Sequence, residues 1–205
     1  QSDNQYLCVY DIDNKSIVFK ESLDSSIIDP TFTPVFSGDS AYLAYVTMGN
    51  NDILNIVNTD SGNKSHVVLD NALGYLGFNS FQNVNEIVFT TTDLKNNKYK
   101  FNRINLLNIK SKGLPESFQT EIEGNITDLN CIKGNVIISL NQYNNNSLVG
   151  RVDFLNKRID TILNLKKPIL RFTAIPHKSQ YICLHSDKTI TIASTEVNAV
   201  NNKIS

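Results

Sequence analysis

FSGDSAYLAYVTMGNNDILNIVNTDSG, residues 36–62, holds two strand signals framed by two turn signals. The runs AYLAYVT from Ala41 and ILNIVN from Ile53 are rich in β-branched and aromatic side chains, which suit a pleated, half-buried surface. Ser37-Gly38-Asp39-Ser40 precedes the first run and Thr59-Asp60-Ser61-Gly62 follows the second. Such residues bond their own backbone and accept positive φ, so each group predicts a tight turn. One strand further out on either side, TFTPVF from Thr31 and SHVVL from Ser65 extend the unit to four antiparallel strands with short polar connections.

The plan recurs along the chain. GYLGFN from Gly74, EIVFTT from Glu86, KFNRINLL from Lys100 and a weaker run near Phe118 form a second set, with longer loops. NITDLNC from Asn125, VIISLN from Val136, LVGRVDF from Leu148 and IDTILN from Ile159 form a third. A fourth has PILRFTA from Pro168, YICLH from Tyr181 and TITIAS from Thr189, while the N-terminus supplies only YLCVY from Tyr6 and IVFK from Ile17. First strands thus begin near residues 31, 74, 125 and 168, a repeat of roughly 43 to 51 residues, within the range of four-stranded propeller blades. A β-sandwich also turns about every 8 to 12 residues but gives no reason for a four-strand period. The expected fold is therefore all-β: a β-propeller of four-stranded antiparallel blades, about four to five of them within residues 1–193, followed by a tail at 194–205. In Thr189-Ile190-Thr191-Ile192-Ala193 the alternation predicts buried isoleucines and exposed threonines.

Phe36 to Gly62 resembles the blade consensus of the WD-repeat, YVTN and TolB-like propellers, an FSPDG-x-x-LAY hairpin followed by I-x-V-x-D-x-x-TG. Val9-Tyr10-Asp11-Ile12-Asp13-Asn14-Lys15 echoes it, as does, faintly, Tyr181 to Ser194. The chain departs from true WD repeats in having no tryptophan and no Gly-His pair before a blade, so their hydrogen-bonded tetrad is missing. The resemblance implies rings of six to eight blades. Two strands at the start and three at the end overfill a single shared blade, so the expectation is an open assembly completed by a partner, or a piece of a longer protein; open sheet edges need covering.

Composition narrows the function class. A net charge of −1, with 40% hydrophobic and 19% charged residues, excludes a disordered chain and a globally basic nucleic-acid binder. No apolar run approaches the roughly eighteen residues that cross a bilayer, so no membrane partner is expected. Gln1 to Gln5 lacks the layout of a signal peptide, which fits a mature secreted form or an internal segment. Asn14, Asn63, Asn125 and Asn145 each begin an Asn-X-Ser/Thr triplet, but asparagine fills 28 of the 205 positions, enough for such triplets to arise by chance. Cytoplasm or nucleus is the favoured location, with secretion as the alternative.

Residue types that carry chemistry are present without the spacing that chemistry needs. Cys8, Cys131 and Cys183 are odd in number and widely spaced, which argues for reduced core residues and against a disulfide framework. His66, His177 and His185 offer no metal-ligand spacing and read as surface histidines. Cys183 and His185 lie two apart on one strand and so share a face, the one dyad-like pairing. Asp11-Ile12-Asp13-Asn14 resembles the start of a calcium loop but lacks its glycine and distal glutamate. Neither a Gly-X-Ser-X-Gly elbow nor a phosphate-cradling glycine loop occurs. No cofactor, metal or catalytic residue is expected, and the chain is not expected to be an enzyme.

Charge is unevenly placed. Residues 1–70 carry ten acids and three bases, net −7, and the remainder ten acids and sixteen bases, net +6. Between Asp93 and Glu116 no acid interrupts Lys95, Lys98, Lys100, Arg103, Lys110 and Lys112, which interleave with Tyr99 and Phe101. Lys95, Lys98, Tyr99, Lys100, Arg103, Lys110 and Lys112 are therefore the expected partner-binding residues, for an acidic protein surface or a phosphate backbone. An outer strand whose charges blunt edge pairing accounts for the same pattern. The expected function is a non-catalytic scaffold that binds protein as a subunit of a larger complex. The alternatives are a secreted or periplasmic TolB-like propeller that binds or hydrolyses a ligand, and an RNA-contacting subunit.

Overall fold

The computed structural model describes residues 6–22, 27–28, 33–81, 84–93, 98–106, 115–132, 134–175, 178 and 180–194. Its regular elements are β-strands, arranged in antiparallel sheets, and the chain divides into two compact units, Gln1–Leu73 and Gly74–Ser205. Residues 71–73 carry no charge, so this boundary is also the charge boundary: the first unit is net −7 and the second net +6.

In the first unit, β1 (Tyr6–Asp11) and β2 (Ser16–Ser22) form a hairpin. A second sheet holds β3 (Ile27–Ile28), β4 (Val35–Phe36), β5 (Tyr42–Met48), β6 (Ile53–Asn58) and β7 (Lys64–Val68). Of the first strand expected from Thr31, whose first two residues lie outside the described residues, Val35 and Phe36 pair with β5, as do Ile27 and Ile28 ahead of it. Ile27 and Ile28 face Met48 and Thr47, and Val35 and Phe36 face Ala44 and Leu43. Pro34, with no N–H, stands at the start of the second piece. Leu43, Tyr45 and Val57 pack against Leu7, Val9, Phe19 and Ile28, while Ala44 and Val46 on the opposite side of β5 are buried too. A strand covered on both faces explains the unbroken apolar run at Ala41–Val46.

The second unit repeats one sheet twice in full and once in part. β8 (Ala72–Phe81), β9 (Val84–Asp93), β10 (Lys98–Asn105) and β11 (Glu116–Glu121) form a four-stranded meander. β12 (Asn125–Ile132), β13 (Asn135–Asn141), β14 (Ser147–Asp153) and β15 (Arg158–Leu165) form the next. β16 (Ile169–Ile175), β17 (Gln180–His185) and β18 (Ile190–Ser194) stop at three. The strand sets expected from residues 74, 125 and 168 are thus all present.

Equivalent turns show which strands the hairpin represents. At the β14–β15 turn, Asp153 accepts from the Asn156 N–H at 3.0 Å and from its side-chain amide at 2.7 Å, and Lys157 takes φ 54°. At the β1–β2 turn Asp11 does the same with Asn14, at 3.0 and 2.7 Å, and Lys15 takes φ 50°. This closed Asx turn, rather than a calcium loop, is what Asp11 and Asn14 build. β1 and β2 therefore correspond to the third and fourth strands of a complete sheet, whereas β16, β17 and β18 are a first, second and third.

Within the second unit the sheets pack face to face. Val88, Tyr99, Phe101 and Phe118 meet Ile126, Leu129, Ile138, Val152 and Phe154, with Phe101 stacked on Phe118 at 5.3 Å. Ile137 and Val149 meet Ile169, Phe172, Tyr181, Cys183 and Ala193. Around these apolar layers runs a seam of side chains bonded to the main chain of the next sheet. Tyr75 donates to the Ile126 carbonyl at 3.0 Å, and Asn130 to that of Phe172 at 3.4 Å. Ser147 donates to the Lys167 carbonyl at 2.6 Å. Asn141 closes a two-way bridge, donating to the Ile169 carbonyl at 2.9 Å and accepting its N–H at 2.8 Å. Buried polar groups need such partners, and here they also fix sheet against sheet.

β18 corrects the expected register. Thr191 and Ala193 lie opposite Cys183 and Tyr181 and share their core-facing side, while Ile190, 50% exposed, lies opposite Leu184. The threonine points inward because His185, 2% exposed, needs it: its Nε2 lies 2.8 Å from the Thr191 hydroxyl and its Nδ1 3.2 Å from the Pro168 carbonyl. His185 is thus a core residue rather than a surface one. Cys8 reverses the other way: it is exposed, while Cys131 is half-buried and Cys183 buried.

Candidate interaction surface

The basic stretch falls on β10, the third strand of its sheet, and strand geometry splits it. Successive side chains on a regular strand alternate between faces, so Tyr99, Phe101 and Arg103 point one way and Lys98, Lys100 and Asn102 the other. Lys95, Lys110 and Lys112 lie outside the described residues. Tyr99 is 7% exposed, with its hydroxyl 3.5 Å from the Gly124 carbonyl, and Phe101 is fully buried. Tyr99 is therefore core, not a stacking platform, and the expectation that it meets a partner does not hold.

Arg103 also has partners within the fold. Its guanidinium sits 4.8 Å from the Phe154 ring, 2.5 Å from Glu116 Oε2 and 3.8 Å from Glu86 Oε1. The acid-free interval in sequence is closed by pairing, which sets Lys98 between Asp93 and Glu121 and Arg103 opposite Glu116. Lys100, partly exposed and set between Thr91 and Gln119, is what the stretch leaves on its other face.

A second group, not singled out in the sequence, joins three first strands. Asp128 on β12 and Arg171 on β16 each follow a register shift, after Ile126 and Ile169, so they are equivalent positions in successive sheets. Burial raises the Tyr75 hydroxyl above its usual range, with the Asp128 charge and Tyr99 adding to the shift and the Arg171 charge opposing it. Burial holds the Asp128 carboxyl above the usual carboxylate range, although the Leu129 N–H at 2.8 Å, the Arg171 charge and the Phe172 N–H oppose the shift. Aligning NITDL with PILRF exposes the pairing; residue type alone does not.

The dyad-like pair does not assemble. Burial pushes the Cys183 thiol up to about 11, the wrong direction for a thiolate nucleophile, and both His185 ring nitrogens are engaged elsewhere. Burial and the Glu86 charge push Cys131 up to about 12. His66 is exposed, as read from the sequence, and His177 lies outside the described residues. Among the described residues no three His, Cys, Asp or Glu side chains gather where they could hold a metal.

The hairpin contributes the remaining surface. The β1–β2 face turned away from Leu43 and Tyr45 shows Tyr6, Tyr10, Ile17 and Val18, all about half exposed, with Lys20 Nζ 4.0 Å above the Tyr6 ring.

No protein-family model matches the chain, and no curated protein sequence matches it. Solved structures do. Over its full length the chain is similar to BBS1N, crystallised in complex with ARL6DN, at TM-score 0.64 and 12% identity, covering 62% of that chain. Acylaminoacyl peptidase from Pyrococcus horikoshii matches 97% of the chain at TM-score 0.62 and 9% identity, with 34% of the peptidase covered. Dihydro-heme d1 dehydrogenase NirN, in complex with DHE, matches 98% at TM-score 0.62 and 12% identity, with 42% covered. All three are β-propeller proteins, and the likeness establishes that fold. The chain spans between about a third and three fifths of their lengths.

Proposed function

We propose that this chain is a propeller segment of the WD-repeat, YVTN and TolB-like kind that serves as a non-catalytic scaffold, binding protein as a subunit of a larger complex in the cytoplasm or nucleus. The observation that carries this is the exposed apolar face of the β1–β2 hairpin, with Tyr10 55% and Ile17 56% exposed where the other face of the same hairpin is packed. A clustered apolar patch on a part-sheet is a surface awaiting a protein partner. Lys100, partly exposed, adds a basic element suited to an acidic partner surface, with nucleic acid as the second candidate. Fold alone does not decide, since the similar structures include a complex and two enzymes by name.

Photo-crosslinking residues placed at Tyr10, at Lys100 and, as a control, at Asp60 on an exposed turn test the proposal in cells of the source organism. Protein cross-links from positions 10 or 100 and not from 60 support it. A chain that elutes alone, with no position cross-linking, overturns it. A ligand-binding propeller is the second reading, favoured by the partly buried Asp128 and by Arg171 at equivalent positions of successive first strands. It requires that Asp128→Asn and Arg171→Ala abolish a small-molecule thermal shift that the parent shows.

A further inference from the structure

The Asx turns at Asp11 and Asp153 let the β1–β2 and β14–β15 hairpins be laid over one another residue by residue. Counting from those turns sets Tyr6, Tyr10, Ile12 and Ile17 against Leu148, Val152, Phe154 and Ile159, and the cross-strand pair Tyr10–Ile17 against the pair Val152–Ile159. In β14–β15 this side is covered by the sheet before it. Val152 and Phe154 are buried there, Leu148 and Ile159 pack partly against the same core, and the Phe154 ring stands edge-on to Phe118 of β11 at 5.5 Å. In β1–β2 the same four places are open: Tyr6, Tyr10 and Ile17 are about half exposed and Ile12 is 81% exposed. Apolar side chains scattered singly on a surface need no explanation, but four on one side of one hairpin do.

The side of β8–β11 that covers Phe154 is the one turned toward the next sheet in the chain. In the last sheet the opposite side, with Tyr181, Cys183 and Ala193, packs on Ile137 and Val149. Its outward side therefore corresponds to the covering side of β8–β11. There Ile182 lies across from Ile192 and Leu184 from Ile190, an apolar square of which none is buried and Ile190 is half exposed. One unit thus holds a hairpin side of the kind a sheet covers, and the other unit a sheet side of the kind that covers it. Charge sorts the possible contacts between copies: the first unit is net −7 and the second net +6, so first against second attracts while like units repel.

We infer that the β1–β2 face of one copy of this chain docks, sheet on sheet, on the β17–β18 face of a second copy. Two different surfaces meet in such a contact, so each pair leaves one face of each kind free and copies add head to tail. The inference rests on the reading of the hairpin as a protein-binding face and names its occupant.

Sedimentation equilibrium of the full 205-residue chain, from about 1 to 100 μM, reads the association directly. The average mass is expected to climb with concentration past that of a dimer, and to climb less as added salt screens the two units. Tyr10→Glu and Ile190→Glu each spoil one face, and circular dichroism checks that each variant folds; Ile190→Lys takes the place of a variant that does not. Alone, each is expected to be monomeric. Mixed, they are expected to form a dimer and nothing larger, because each supplies the face the other has lost. A parent chain that stays monomeric across the range overturns the inference, as does association that survives either substitution or a mixture that stays monomeric. A monomeric chain that still cross-links to another protein from position 10 removes the second copy as occupant and leaves the scaffold proposal standing. Self-association with position 10 cross-linked only to other copies keeps the inference and removes the partner protein of a larger complex.

Discussion

Two tyrosines, each wholly buried, should respond oppositely to the same change, loss of the phenolic oxygen. Tyr45 donates its hydroxyl to Glu21 Oε2, and Glu21 Oε1 accepts from Lys64 at 2.5 Å, with the ammonium 5.6 Å from the Tyr45 ring centroid. A hydrogen bond to a charged group contributes about 1.5–3 kcal/mol, and because Lys64 still holds Glu21 in the variant, Tyr45→Phe should cost about 1.5–2 kcal/mol. Tyr181 has the same burial but its hydroxyl has no partner among the described residues. An unpaired buried hydroxyl carries about 1–3 kcal/mol of desolvation cost, so Tyr181→Phe, less a small cavity term, should gain about 1 kcal/mol. Urea unfolding measures both. With m near 2 kcal/mol/M the midpoint should fall by about 1 M for Tyr45→Phe and rise by about 0.5 M for Tyr181→Phe. The residues sit in different compact units, so amide exchange assigns each shift to its own unit. Equal destabilisation by both would refute the assignment of Tyr181 as unpaired.

Asp128→Asn should raise stability at neutral pH, with the gain vanishing as pH falls below the ordinary value of 3.8. A carboxyl raised in the folded state costs stability as it ionises, and below its unfolded value both states are protonated; a denaturant series across pH checks this. Ile190→Ala should cost under about 1 kcal/mol, whereas Thr191→Val, which strips His185 of its Nε2 partner, should cost about 1–3 kcal/mol by thermal unfolding. Gly124→Ala should abolish soluble expression or lower the melting temperature sharply, because at φ 139° a Cβ would stand 2.1 Å from the Asn141 carbonyl oxygen. Lys100→Glu, set between Thr91 and Gln119, should leave the fold intact and weaken cross-linking from neighbouring positions, while Arg103→Glu should destabilise by facing Glu116 and Glu86, as circular dichroism melts will report.

What was legible from residues alone was local. The turns at Ser37–Ser40 and Thr59–Gly62 and the β-branched runs marked strand positions within a few residues because turn and strand chemistry act over short stretches. Which face of β18 turns inward was not legible, since Ile and Thr alternate there and the choice depends on His185, whose second partner comes from Pro168. The basic stretch misled for a similar reason: Arg103 meets Glu116 across a hairpin thirteen residues later, and the same alternation that exposes Lys100 buries Tyr99 and Phe101. Asp128 and Arg171 became a pair only when two strands were laid side by side.

The seam between sheets has a consequence for inheritance. Tyr75, Asn130, Asn141 and Ser147 all reach for main-chain groups, which every residue supplies whatever its side chain. The receiving positions at Ile126, Phe172, Ile169 and Lys167 are thus released from any demand for a matching partner and can drift without loosening the joint. A fastening built this way leaves only half a signature in the gene. Chains that adopt the same fold can then share as little as 9% of their residues.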